Sequence, residues 1–122
     1  MKLKLMIFVG ALIMYLPAVA HDVVKGPNGG RVVDAGAYHV ELVARQDAVE
    51  VFLTDANEKT VPTAGFKGVA ILLVEGKSQR IVLEPTDAIR LSGKANVVIP
   101  AQPKGAVQIT APDGKTAQAR FN

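Results

Sequence analysis

Tyr38-His39-Val40-Glu41-Leu42-Val43-Ala44-Arg45-Gln46-Asp47-Ala48-Val49-Glu50-Val51-Phe52-Leu53 decides the fold. Side chains alternate across a strand, so Tyr38, Val40 and Leu42 share one face while His39, Glu41 and Val43 share the other. Arg45-Gln46-Asp47 can reverse the chain. The return run Val49 to Leu53 then sets Val49, Val51 and Leu53 opposite Glu50 and Phe52, which predicts a β-hairpin.

Outward from this hairpin, β-branched stretches separated by Gly, Pro, Asn and Asp recur along the rest of the chain, and no window carries a helical apolar period over three turns. Expected strands are Arg31 to Asp34, Val69 to Glu75, Gln79 to Leu83, Ala88 to Leu91, Val97 to Ile99, Val107 to Thr110 and Thr116 to Phe121. Turns are expected at Asp55 to Lys59, Glu75 to Ser78, Glu84 to Asp87 and Pro112 to Lys115. The fold class is therefore all-β, a small antiparallel β-sandwich or partly closed barrel of about eight short strands. Its expected core is Val40, Leu42, Val51, Leu53, Ile71, Leu73, Ile81, Leu83, Val107 and Ile109.

The start of the chain reads differently. Lys2 and Lys4 precede an almost unbroken apolar run, Leu5 to Leu16, which ends in Pro17 and Ala18-Val19-Ala20. That is the pattern of a cleavable secretory signal peptide, and the run falls short of the roughly 20 residues of a membrane span. Residues 1–20 are thus expected to be a leader, 21–30 an arm and 31–122 a single β domain. An exported, periplasmic protein with no membrane span after cleavage is the expectation.

Loss of the leader also changes the charge. The chain has 14 Lys+Arg against 11 Asp+Glu, a net +3, and removing Lys2 and Lys4 leaves +1 with both signs interspersed. There is no basic run to hold a phosphate backbone, which argues against nucleic acid as a partner. Cysteine is absent and Met1, Met6 and Met14 all lie in the leader, so the remainder has no sulfur ligand, disulfide or thiol nucleophile. Ser78 and Ser92 sit in turn sequences, two histidines serve the whole chain, and no P-loop, dinucleotide or metalloprotease motif occurs. An enzyme is not expected.

His21 is the informative residue. Cleavage after Ala20 makes it the first residue of the exported chain, where its α-amine and ring Nδ1 can chelate one ion, with the Asp22 carboxylate beside it. His39 is the other imidazole. If residues 21–30 fold back on its strand, the ligand set becomes amine, two imidazoles and a carboxylate drawn from Asp22, Asp34 or Glu41. Such nitrogen and oxygen donors suit Cu(II) ahead of Zn(II) and Ni(II). The candidate metal residues are therefore His21, Asp22 and His39. A metal-free interaction domain that docks through a sheet edge is the competing expectation.

Gly26-Pro27-Asn28-Gly29-Gly30-Arg31-Val32-Val33, continuing through Asp34 to Val43, with Val51-Phe52-Leu53-Thr54-Asp55 and Val61-Pro62, resembles small proteobacterial periplasmic β-domain proteins. It is similar too to the N-terminal β-domain of periplasmic adaptor subunits in heavy-metal efflux pumps of the resistance-nodulation-division class. In those relatives the first turn often reads Pro-His-Gly-Gly, and Asn28 stands here at the histidine's place. The terminal histidine adds a looser likeness to periplasmic copper-resistance β-sandwich proteins. What the resemblance implies is an envelope setting, a role beside metal efflux or homeostasis, and a cell-envelope protein or efflux component as partner.

Overall fold

The computed structural model describes residues 24–122, nine antiparallel strands in one curled sheet that closes about halfway into a barrel. The strands are β1 (Val24–Lys25), β2 (Arg31–Ala35), β3 (Tyr38–Arg45), β4 (Ala48–Thr54), β5 (Lys67–Val74), β6 (Lys77–Asp87), β7 (Arg90–Lys94), β8 (Lys104–Thr110) and β9 (Thr116–Phe121). Their order across the sheet is β1-β2-β3-β4-β7-β6-β5-β8-β9. Of the two expected arrangements it is the partly closed barrel. There is no helix among the described residues, hence none long and apolar enough to cross a membrane.

The β3–β4 hairpin forms as its alternation predicts, with Leu42 opposite Val51 and Glu41 opposite Phe52. Val40, Leu42, Val49, Val51 and Leu53 face the interior and meet Ala70, Leu72, Ile81, Leu83, Leu91, Val107, Ile109 and Phe121 from the other strands. Two connections stopper the ends of the curl. Phe66, from the loop after β4, lies edge-on to the Tyr38 ring at 5.7 Å, and Ile99 is pinned at the other end by its N–H to Gln46 O.

The expected arm contains β1, the expected strand Ala88 to Leu91 is a turn at Ala88-Ile89 followed by β7, and three further elements depart from the sequence expectation. Ile71 and Leu73 face outward, because the run from Val69 is apolar at both parities and the interior took the narrower Ala70 with Leu72 and Val74. Glu84 to Asp87 is not a turn. β6 runs straight through Pro85, pairing with β5 up to Leu83 and with β7 beyond it, with a register shift between Pro85 and Asp87. Val97 to Ile99 forms no ladder and serves as the stopper instead.

β6 hands the sheet from one half to the other at a point where β7 comes very close. A Cβ on Gly93 would stand 2.1 Å from the Val82 carbonyl oxygen. Gly93→Ala must therefore push two backbones apart, and urea unfolding should show a loss of about 2 kcal/mol with an unchanged slope.

β2, which pairs with the two-residue edge strand β1 only at Arg31 and Val32, lies beside the other edge strand, β9, without a backbone ladder between them. Arg31 closes the gap. It donates to Asn122 O at 3.1 Å and to Pro103 O, and its guanidinium lies over the Phe121 ring at 5.6 Å. Partial burial lowers its pKa below the ordinary arginine value.

Candidate metal centre

His39 owes its neighbour to turn length. The two-residue turn Gly36-Ala37, with Gly36 at φ 57°, joins β2 to β3 and puts Asp34 directly opposite His39. His39 Nδ1 and Asp34 Oδ1 are 2.5 Å apart. A carboxylate can only accept, so in the neutral ring this contact selects the tautomer with the proton on Nδ1 and the lone pair on Nε2. A carboxylate that fixes the tautomer of an imidazole in this way is the usual support of a histidine ligand. Both side chains reach solvent, at 33% and 83% exposure.

Glu41, two residues on along the same face, is a different kind of residue. It is 3% exposed, and both carboxylate oxygens are occupied. Oε2 accepts from the Asn28 and Gly30 backbone N–H groups and Oε1 from the Asn28 side-chain amide, each at 2.9 Å. The Gly26-Pro27-Asn28-Gly29-Gly30 turn is thus wrapped around one carboxylate. Its glycines follow from that: a Cβ on Gly26 would collide with the Glu41 carboxyl at 2.2 Å, and Gly29 sits at φ 85°. Enlisting Glu41 as a metal ligand would strip this turn of its acceptors. Asn28, at the histidine position of the resembled turn, is a structural donor here.

The sequence candidates therefore divide. His39 is brought together with Asp34; Glu41 is committed to the turn; His21 and Asp22 lie outside the described residues. Among the described residues no three His, Cys, Asp or Glu side chains gather as a metal site. Asp34 and His39 are a two-residue fragment that needs donors from elsewhere.

On the same outer surface, Phe52 is only 8% exposed, although among the described residues no second sheet covers it. The Arg90 guanidinium does so, 5.3 Å from the ring centroid, while its Nη1 donates to Glu50 Oε1 at 3.1 Å. Its Nε lies 3.2 Å from Asp87 Oδ2 but makes no hydrogen bond, so that contact is Coulombic. The order Arg90 shows here depends on a cross-strand geometry that composition does not reveal.

No family model matches the chain, and neither a curated protein nor a solved structure does.

Proposed function

We propose that the protein is an exported, non-enzymatic module, cleaved after Ala20, that binds one divalent transition metal, Cu(II) by preference, as an accessory to metal efflux or homeostasis. The observation that carries this reading is the Asp34–His39 pair. It offers one oriented imidazole nitrogen on the strand next to the one that receives the start of the chain. β1 runs antiparallel to β2 with Val24 opposite Val32, and Asp34 is two residues further along β2 in the direction from which the chain enters. His21 is three residues from Val24, a reach of roughly 10 Å for extended chain. The ligands are then the His21 amine and ring, His39 Nε2 and the Asp22 carboxylate, with Asp34 holding the His39 ring. Nitrogen-rich donors without sulfur favour Cu(II) over Zn(II) in the ordinary affinity order.

Calorimetric titration of protein beginning at His21 is expected to give one Cu(II) per chain, bound more tightly than Zn(II). A stoichiometry well above one, or equal affinity for both ions, would mean adventitious surface binding. The fold itself should not need the ion, because the core around Val40, Leu53, Leu72 and Ile109 is fully apolar. Thermal unfolding in excess chelator is expected to stay a single cooperative transition; an unfolded apo-protein would instead mark a structural, buried site.

A further inference from the structure

The outer surface of β6, β5, β8 and β9 carries an aliphatic stripe with cations along both sides. Ile71, Leu73 and Val82 are 39%, 47% and 51% exposed, all far above their interior neighbours Ala70, Leu72 and Ile81. They are contiguous, since Val69 pairs with Val82 and the alternate residues Val69, Ile71 and Leu73 point the same way along β5. Across the level of Ile71 the four strands read Arg80, Ile71, Ala106, Arg120. Lys104 sits opposite Leu73. Among the described residues Arg80, Lys104 and Arg120 have no carboxylate within ion-pair distance, whereas Arg45 and Arg90 are both paired. Of the acids near the stripe, Glu84 lies at its opposite end beside Lys67, and Glu75 is in the β5–β6 turn two residues beyond Leu73. A depression of about 490 Å³ lined in part by Ile71, Leu73, Lys104, Ala106 and Arg120 runs along the cationic end.

We infer that this face docks an acidic amphipathic helix of a partner protein. Three strand spacings separate Arg80 from Arg120, roughly 14 Å at the usual distance between strands. An α-helix with its side chains is about 10–12 Å across, so one lying along β5 sets its apolar stripe on Val69, Ile71 and Leu73. Glu or Asp residues on its two flanks then meet Arg80 on one side and Arg120 with Lys104 on the other. A second copy of the same face is a poor occupant, because it would bring cation against cation. A lipid surface would take up the cations but gains little from an exposed stripe without a single aromatic ring.

The test uses a labelled helical peptide with Leu at i, i+3, i+4 and i+7 and Glu along both flanks, and a second peptide with every Glu replaced by Lys. Fluorescence anisotropy with the wild-type protein is expected to show the acidic peptide binding at least tenfold more tightly than the basic one. The double variant Arg80→Glu/Arg120→Glu should weaken it at least tenfold while keeping the wild-type melting temperature, since both side chains are exposed. Equal binding of the two peptides, or binding indifferent to the double substitution, would overturn the inference. So would binding to phosphatidylglycerol vesicles in place of the acidic peptide, or sedimentation as a dimer that Ile71→Asp dissolves.

Discussion

Glu41→Ala is expected to lower the melting temperature by about 15 °C. The substitution removes the acceptor of three hydrogen bonds, of which the one from the Gly30 N–H is buried and those from Asn28 are partly so. Water can reach the two Asn28 groups once the side chain is gone, but Gly30 N–H is left without a partner beneath Leu42. An unmet buried donor costs about 1–3 kcal/mol and each bond to a carboxylate contributes a similar amount, so a total of about 3 kcal/mol is reasonable once solvent replaces part of it. For a domain of this size 1 kcal/mol corresponds to about 4–8 °C. Glu41→Gln keeps one carbonyl acceptor and sets an amide against the remaining donors, and should fall between the two. Thermal unfolding followed by circular dichroism checks both. A loss below about 3 °C for the alanine variant would mean that the glycine turn holds itself.

The second large effect concerns the metal. Adding one alanine before His21 converts its α-amine into a peptide nitrogen and moves the free amine one residue away from the imidazole. Chelation makes the second donor's binding intramolecular, and its loss is expected to weaken Cu(II) about 100-fold with no change in the melting temperature of the apo-protein. Asp34→Asn leaves every proposed ligand in place but no longer holds the His39 ring as a carboxylate does, and should weaken binding about tenfold. Competition titration against a chelator of known affinity measures both. If the extended protein binds as tightly as the protein starting at His21, the amine is not a ligand.

The legible parts of the fold are those where polarity and strand parity agree. In Tyr38 to Leu53 polar and apolar residues alternate strictly enough to set register, face and hairpin together. The run from Val69 to Val74 offers apolar residues at both parities, so nothing local tells which half is inside; the choice fell to the space facing Leu83 and Val107. Pro85 reads as a breaker because it lacks an N–H, yet it is tolerated where β6 passes from one neighbour to another. Glu41 reads as a surface carboxylate until the turn that buries it, thirteen residues earlier in sequence, is folded over it. The Asp34–His39 pair was within reach of the sequence, since a two-residue turn fixes which residues face each other. The cationic stripe was not, because Arg80, Lys104 and Arg120 come from three strands and meet only through the strand order.

The central claim, one Cu(II) shared between the chain start and His39, is tested most directly by counting coordinated imidazoles. Pulsed electron paramagnetic resonance of the Cu(II)-loaded protein beginning at His21 detects each bound ring through its remote nitrogen. Two equatorial imidazoles are expected in the wild-type protein and one in His39→Ala, at a stoichiometry of one ion per chain. A single imidazole in the wild-type spectrum that is unaltered by His39→Ala would contradict the account.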